Sequence, residues 1–238
     1  MLELFQNGLY TYFRFVNENW LILSTLFCTL MAIAIPYLLG SVNSAIVISK
    51  LLYADDIRRH GSGNAGMSNM LRVYGKKAAL FTLLGDLAKT VLAVLVGGLF
   101  MGLQYVGPFS LGQGGYLAAF FCITGHVFPV FYRFKGGKGV LCAAAAILLL
   151  NPVVFAIELV CFVIIVAFTR YMSLGSVVCV ALYPLLLHTL FPLFVEGPGI
   201  PLHLVVFAFA LAAFVIWMHR SNLRRLWRGE ESKISFSK

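Results

Sequence analysis

Two short polar segments of the chain combine glycines with basic residues in a pattern that suits anion binding. The first, HGSGNAGMSN (60–69), has glycines at 61, 63 and 66 and lies between Arg58–Arg59 and Arg72. Glycines at this spacing let consecutive backbone N–H groups face one concavity, and a following helix N-terminus adds partial positive charge. We predict that this helix begins in MSNMLRVYG (67–75), with Ser68 and Asn69 as candidate caps. The glycine spacing is not that of a nucleotide-binding P-loop.

The second segment, FKGGKG (134–139), places two lysines around a Gly-Gly pair ahead of an apolar run. A lysine charge next to exposed backbone amides suits a phosphate group. An ordinary basic loop is the alternative, but such a loop has no need of glycines. We therefore expect two anion cradles, which hold two phosphate groups or one phosphate from two sides.

The elements around these segments are predicted to be membrane helices. Of the 238 residues only 11% are charged, whereas soluble domains carry about 25%. A spanning helix needs roughly 20 apolar residues, and the candidate stretches are about 20–40, 78–102, 113–132, 138–150, 151–169, 173–194 and 201–219. In lipid, only α-helices and closed β-barrels satisfy all of their backbone hydrogen bonds, and these apolar runs are too long for barrel strands. The prediction is an all-α, polytopic membrane helix bundle of about seven helices.

The basic residues indicate the orientation of the bundle. With the N-terminus outside, the inner segments are 41–77, 133–138, 170–172 and 220–238, and they hold all but two of the 18 lysines and arginines. The exceptions are Arg14, which lies outside with Glu3, Glu18 and Glu196, and Lys89, which lies within a span. This asymmetry follows the positive-inside rule, so the C-terminus is expected to be cytoplasmic.

Composition also limits the domain organisation and the class of function. We predict one domain over 1–238, with an N-terminal extension (1–19) and a cytoplasmic C-terminal segment (220–238). The net charge of +9 is explained by membrane topology, so no nucleic-acid partner is expected. The five cysteines fall in apolar runs without metal-ligand spacing, and we expect neither a metal nor a cofactor.

Three ionisable residues are predicted to lie within spans. Asp86 and Lys89 are three residues apart on one helix, a spacing that allows an ion pair. Glu158 falls in the middle of another span and is expected to be protonated or hydrogen-bonded inside the bundle. We interpret all three as supports of the bundle.

Three longer stretches match known motifs: GSGNAGMSNMLRVYG (61–75), GHVFPVFYRFKGGKGV (125–140) and HRSNLRRLWRGEE (219–231). They correspond to G-S-G-N-x-G-A-T-N-x-x-R-x-x-G, G-H-x-F-P-x-F-x-x-F-K-G-G-K-G-V and H-R-x-N-[IL]-x-R-L-x-x-G-x-E. From Gly40 to Glu231 the chain thus resembles the acyl-phosphate-dependent glycerol-3-phosphate acyltransferases, integral membrane enzymes of bacterial phospholipid synthesis. The chain departs from the family pattern at four places, which comprise six residues. Asn43 replaces the proline of G-S-x-P, Met67-Ser68 and Leu141-Cys142 each replace Ala-Thr, and Thr90 replaces the glycine of D-x-x-K-G.

The resemblance implies a reaction and a location. Acyl phosphate and sn-glycerol 3-phosphate are the expected substrates, and lysophosphatidic acid acylated at the 1-hydroxyl and inorganic phosphate the expected products. This is the first step of phospholipid synthesis, at the bacterial inner membrane. Membrane lipid and the soluble enzyme that supplies acyl phosphate are the expected partners.

The resemblance also implies roles for residues. Arg72 and Lys138 are expected to hold phosphate, Ser62, Ser68 and Ser176 to complete its shell, and His219 and Asn222 to orient the glycerol hydroxyls. His126 is expected to brace the 125–140 motif. Ser62, Arg72, Lys138, His219 and Asn222 form the expected catalytic set. The expected substrate-binding set is Gly61, Gly63, Asn64, Ser68, Asn69, His126, Lys135, Gly136, Gly137 and Ser176.

Two functions of other classes remain as alternatives. A transporter of a phosphorylated solute shares the spans and the basic inner side, but a transporter places its polar groups near the midplane. A membrane phosphotransferase acting on CDP-alcohols needs a carboxylate-rich metal site. The inner segments offer only Asp55, Asp56, Glu230 and Glu231, at unsuitable spacing.

Overall fold

The chain is described by a computed structural model over residues 18–105, 112–194 and 200–234. Within these ranges the regular structure is helical, in the order α1 (Glu18–Ser41), α2 (Ser44–Tyr53), α3 (Met67–Tyr74), α4 (Lys76–Tyr105), α5 (Gln113–Val127), α6 (Val140–Leu150), α7 (Pro152–Thr169), α8 (Met172–Phe194), α9 (Leu202–Met218) and α10 (Arg220–Trp227). Short 3₁₀ turns lie at Ile57–Arg59 and Val130–Tyr132. The all-α prediction is confirmed. The predicted outer charges Glu3, Arg14 and Glu196 lie outside the described residues.

The number of spans differs from the prediction. Among the described residues, the stretches long and apolar enough to cross a membrane are Ile22–Tyr53, Lys76–Leu103, Gly114–Tyr132, Pro152–Thr169 and Met172–Leu193. Helices α9 and α10, which meet at a bend of 58°, form a sixth span if they are taken together. Helix α6 has 11 residues, and at 1.5 Å per residue it covers about half of a bilayer core of roughly 30 Å. The count of seven is therefore not confirmed, and the orientation stays a prediction.

The chain divides into two compact units, separated between Ala146 and Ile147. In the first unit, α1, α4 and α5 pack against one another. Glycines sit at the crossings: a Cβ on Gly40 would strike the Cys122 carbonyl, and one on Gly125 would strike the Tyr37 carbonyl. Small residues let membrane helices approach closely.

Helices α1 and α2 are separated by a break at Val42–Asn43. Asn43 caps α2, because its side-chain oxygen accepts a hydrogen bond from the Ile46 N–H. Beyond α2, a small apolar cluster that includes Ile46, Ile57 and Ala65 fixes the polar segment against α3 and α4. The first predicted polar segment is thus held in place by this buried apolar cluster.

In the second unit, α8 packs against both α7 and α9. Helix α7 begins with Pro152 directly after Asn151, because the fixed φ of proline suits the first position of a helix. The Asn151 amide donates a hydrogen bond to the Tyr183 hydroxyl (3.0 Å) and so ties the turn to α8. Helix α10 follows α9 after the bend at His219.

Candidate active site

The glycine loop, His60–Gly66, has the backbone conformation that its sequence predicts. Gly61 and Gly63 have φ values of +57° and +70°, in the left-handed region that favours glycine. A Cβ on Gly61 would also strike the Asn69 side chain. The glycines are therefore required by the fold of the loop.

Asn69 holds the first half of this loop. Its Oδ1 accepts a hydrogen bond from the Ser62 N–H (2.9 Å), and its Nδ2 donates to the carbonyls of His60 (2.9 Å) and Ile57 (3.3 Å). The residue is 2% exposed. The expectation that Ser68 or Asn69 caps α3 is wrong, because the N-cap position is occupied by Gly66, without a side-chain hydrogen bond.

Part of the loop backbone is available to a ligand. The Ser62 N–H bonds to Asn69, and the Gly63 N–H donates to the His60 carbonyl (3.0 Å). Within the described chain, the remaining amides of this stretch that donate to no partner are those of Gly61, Asn64, Ala65, Met67 and Ser68. Ser68 and Arg72 are exposed and lie one turn apart on α3, next to these amides. The described segment therefore carries unpaired N–H groups close in sequence to an exposed hydroxyl and an exposed guanidinium.

The second polar segment, Phe134–Gly139, is built differently from the prediction. The N–H groups of Gly136 and Gly137 donate to the carbonyls of Val127 and His126 (both 3.1 Å), so they are not exposed amides. The expectation that these two amides bind substrate directly is wrong, because the end of α5 already uses them. Of the two lysines in the segment, Lys135 is exposed and Lys138 is half-buried.

The two segments meet at one point in the first unit. A Cβ on Gly137 would strike His126 Nε2 and would lie 2.6 Å from the Ala65 carbonyl oxygen. Only a glycine lets the second segment approach the glycine loop this closely. The Gly137–Ala65 contact thus brings the segment that carries Lys138 against the glycine loop.

Arg58 makes a second link between the segments. Its Nη1 donates to the carbonyls of Tyr132 and Lys135 (both 3.0 Å), while its Nε and Nη2 bind the Asp56 carboxylate. This guanidinium, hydrogen-bonded to Asp56, lowers the pKa of that carboxyl to about 2. Arg58 is therefore a structural cation, whereas its neighbour Arg59 is exposed.

Asp86, Lys89 and His126 form a buried charge network next to the approach of Gly137 to His126. Lys89 Nζ is 2.8 Å from Asp86 Oδ1, which confirms the predicted ion pair, and 2.9 Å from His126 Nδ1. The same ammonium donates to the carbonyls of Gly40 (3.2 Å) and Val42 (3.1 Å) at the break after α1. His126 is 3% exposed. Its backbone carbonyl accepts a hydrogen bond from the Gly137 N–H (3.1 Å), and its side chain joins the charge network, while a direct contact with substrate stays a prediction.

The same network contains ligand atoms of the kind that bind metals. One atom each of Asp86, His126 and Cys142 lie within 4.8 Å of one another. The Lys89 ammonium already contacts the first two of these groups. Because that ammonium supplies the positive charge that the carboxylate requires, we assign no metal to this cluster.

Two open depressions, of about 380 and 340 Å³, lie beside the glycine loop. Asp56 and Arg59 line both, so a carboxylate shares each lining with cations. Neither depression is lined by Ser62, Arg72 or Lys138, and we assign no substrate to them.

The second unit gathers the remaining predicted residues around α10. His219 is buried, with Nδ1 2.8 Å from the Val215 carbonyl. A carbonyl can only accept, so the neutral ring carries its proton on Nδ1 and its lone pair on Nε2. Ser176, on α8, donates to the Met172 carbonyl of its own helix (2.9 Å).

Glu231 fixes the Asn222 side chain. Its Oε1 accepts hydrogen bonds from Asn222 Nδ2 (2.6 Å) and Ser173 Oγ (2.7 Å), and its Oε2 accepts from Arg225 Nε (2.8 Å). Partial burial raises the pKa of Glu231, but these hydrogen bonds outweigh it and the net change in pKa is downward. The carboxylate thus holds the Asn222 amide in one orientation.

Several of these supporting residues are absent from the sequence-based set. Asn43, Arg58, Ser173 and Glu231 act through contacts with residues distant in sequence, although Glu231 is the last position of the 219–231 motif. Glu158 is buried as expected, and its Oε1 is a buried side-chain atom without a hydrogen-bond partner among the described residues.

Comparison with known proteins identifies the family. A family model described as glycerol-3-phosphate acyltransferase matches residues 30–229. A glycerol-3-phosphate acyltransferase of Clostridioides difficile is 39% identical over 213 residues, which cover 90% of this chain and 98% of the relative. One from Syntrophomonas wolfei is 40% identical over 199 residues, which cover 84% and 93%.

Solved structures agree with these matches. PlsY (YgiH), described as an integral membrane glycerol 3-phosphate acyltransferase, is 30% identical to this chain. Its glycerol 3-phosphate form has a TM-score of 0.74 and covers 87% of this chain and 96% of that one. Its lysophosphatidic acid form has a TM-score of 0.68, with 89% and 96% covered. The chain is therefore a multi-pass integral membrane enzyme that belongs to the glycerol-3-phosphate acyltransferase family.

Proposed function

We propose that this enzyme transfers an acyl group from acyl phosphate to the 1-hydroxyl of sn-glycerol 3-phosphate. The products are lysophosphatidic acid and inorganic phosphate. The observation that carries the proposal is the contact of Gly137 with Ala65 and His126, which brings a loop with exposed amides to a lysine-bearing segment. The solved relatives in glycerol 3-phosphate and lysophosphatidic acid forms support the acceptor and the product.

The first unit holds phosphate in this proposal. Arg72 and Lys138 supply positive charge, while Ser62, Ser68 and the exposed amides of Gly61 and Asn64 donate hydrogen bonds. Charged donors give shorter and stronger hydrogen bonds to phosphate than neutral ones. Asn69, Gly63, Gly136 and Gly137 shape the site from beneath, and Lys135 adds charge at its edge.

We assign the glycerol hydroxyls to residues of α8, α9 and α10, as the family resemblance implies. Asn222, fixed by Glu231, and His219 on the adjacent turn orient the hydroxyl that reacts, and Ser176 completes their environment. This division of roles predicts that loss of the Asn222 side chain raises KM for glycerol 3-phosphate more than KM for acyl phosphate, because only the acceptor has glycerol hydroxyls.

The reaction needs no covalent enzyme intermediate. The acceptor hydroxyl oxygen forms a bond to the acyl carbonyl carbon, and the bond from that carbon to the phosphate oxygen breaks. The leaving phosphate takes the electron pair of the broken bond, and a substrate phosphate takes the hydroxyl proton. Positioning and charge stabilisation then supply the catalysis. The second candidate for the base is His219, favoured by the Nδ1 contact with Val215 that leaves the lone pair on Nε2.

The charge distribution supports a location for the reaction. The glycine loop, the 134–139 segment and α10 all fall in the basic segments that the positive-inside rule assigns to the cytoplasm. We therefore place the enzyme in the bacterial inner membrane, with its N-terminus outside and its C-terminus cytoplasmic. A soluble enzyme that makes acyl phosphate can then deliver the donor from the cytoplasm.

The decisive experiment measures acyl transfer by purified protein with radiolabelled glycerol 3-phosphate. Acyl phosphate and acyl-CoA of the same chain length are compared as donors. We expect lysophosphatidic acid with acyl phosphate and at least tenfold less with acyl-CoA, a difference of about 1.4 kcal/mol in activation free energy. Equal rates would contradict the donor assignment, and label uptake into sealed vesicles without acyl transfer would favour a transporter.

A further inference from the structure

We propose that Asn43 is a positioning residue that sets the place of the glycine loop. Its side chain is fully buried, at 0% exposure, in the break between α1 and α2. The inference rests on the proposed function, because it assigns to the loop the binding of a substrate phosphate. Asn43 is outside the sequence-based site, and the resembling family usually has proline at this position.

Both ends of the Asn43 amide are engaged. Oδ1 accepts a hydrogen bond from the Ile46 N–H (3.1 Å) and caps α2, while Nδ2 donates to the Ala65 carbonyl (3.2 Å). The first bond is local. The second joins residues 22 positions apart and fastens the glycine loop to the helix break. Proline has no side-chain donor, so this chain has a link that the usual residue cannot form.

The backbone at the break between α1 and α2 is held by hydrogen bonds to two charged side chains of α4. Lys89 donates to the carbonyls of Gly40 and Val42 at the end of α1, and Asp86 accepts from Ser44 Oγ (2.9 Å) at the start of α2. A cation at a helix C-terminus and an anion at an N-terminus both match the helix dipole. The buried pair therefore fixes the backbone from which Asn43 projects.

Asn43 and Asn69 hold opposite ends of the loop. Asn69 bonds to His60 and Ser62, and Asn43 bonds to Ala65. Gly63 and Asn64 lie between the two anchors. Ala65 is also where Gly137 approaches. Loss of the Asn43 bond would release the loop at its junction with the lysine-bearing segment, and misplaced donors bind phosphate weakly.

The test separates the cap from the link. Asn43→Ser keeps an N-cap oxygen but is too short to reach Ala65, and Asn43→Asp keeps the cap while it replaces the donor with an oxygen. Asn43→Ala removes both functions. Val42→Ala, at an exposed neighbouring side chain, is the matched control. Each variant is measured for melting temperature, for KM and kcat with both substrates, and for inorganic phosphate binding.

We expect Asn43→Ser to melt closer to the wild type than Asn43→Asp, because the aspartate buries a carboxylate against the Ala65 carbonyl. In both variants KM for at least one phosphate substrate should rise about tenfold, with kcat changed less. Phosphate binding should weaken to a similar extent, whereas Val42→Ala should match the wild type. Wild-type KM and phosphate binding in both cap-retaining variants would overturn the inference, as would a fall in kcat alone. Phosphate binding tests Asn43 even if the wild type fails to use acyl phosphate, and that failure would count against the proposed function alone.

Discussion

Replacement of Gly137 by alanine is the sharpest single test of the contact between the two polar segments. The added Cβ would lie 2.6 Å from the Ala65 carbonyl oxygen and would strike His126 Nε2. The His126 ring is buried, and its Nδ1 lies 2.9 Å from Lys89 Nζ, so the ring has little room to turn away. Ordinary contact begins near 3.4 Å, and the Phe134–Gly139 segment must therefore move by roughly 1 Å.

The expected loss is large in activity and modest in stability. A displacement of about 1 Å between groups that position a substrate lowers the rate by about 100-fold, equivalent to about 2.7 kcal/mol. Overpacking of this kind costs about 1–3 kcal/mol in folding free energy. The assay is kcat/KM of purified Gly137→Ala in the acyl-transfer reaction, with the melting temperature measured on the same preparation.

Gly75→Ala is the matched control. Its Cβ would meet no atom within 4 Å, although the φ of +85° strains any other residue. This variant should lose about 1–2 kcal/mol of stability through backbone strain, yet keep kcat/KM within about threefold of the wild type. Wild-type activity in Gly137→Ala, or equal losses in the two variants, would refute the argument that the contact places the catalytic groups.

Three further changes test separate parts of the site. Ser62→Ala should slow turnover at least tenfold, about 1.4 kcal/mol, and an acyl adduct on Ser62 detected by mass spectrometry would contradict the direct transfer. Asn222→Ala should raise KM for glycerol 3-phosphate more than KM for acyl phosphate, and equal changes would refute the assignment of the hydroxyls to α10. Because Arg58 lowers the pKa of Asp56 from 3.8 to about 2, this pair stabilises the fold above pH 3.8 and the stabilisation is lost as pH falls through 2. Asp56→Asn should therefore melt below the wild type at neutral pH, by about 1–2 kcal/mol in unfolding free energy, and a gap that persists at pH 2 would refute the pairing.

The helices and the shape of the glycine loop follow from local sequence. The seven apolar runs marked α1 and α4 to α9 to within about five positions, whereas α2 and α10 fall in segments assigned to the polar inner side. The left-handed φ values of Gly61 and Gly63 match the anion-nest pattern. The span count does not follow, because hydropathy marks 138–150 as apolar without showing that α6 has only 11 residues.

The supports of the site depend on distant contacts that no local pattern encodes. Arg58 binds the Tyr132 carbonyl across 74 positions, and Asn43 binds Ala65 across 22. The amides of Gly136 and Gly137 looked exposed in sequence, but the carbonyls at the end of α5 accept from them. Glycine spacing thus predicted the backbone conformation of the first segment, while the hydrogen-bond partner of each N–H depended on tertiary packing.

The central claim is that cations and amides of the first unit hold a substrate phosphate. Equilibrium binding of radiolabelled glycerol 3-phosphate to wild type, Arg72→Met and Lys138→Met, with inorganic phosphate and glycerol as competitors, tests it most directly. We expect each substitution to weaken binding at least tenfold, about 1.4 kcal/mol, and inorganic phosphate to compete while glycerol does not. Unchanged affinity in both variants, or competition by glycerol alone, would contradict the claim.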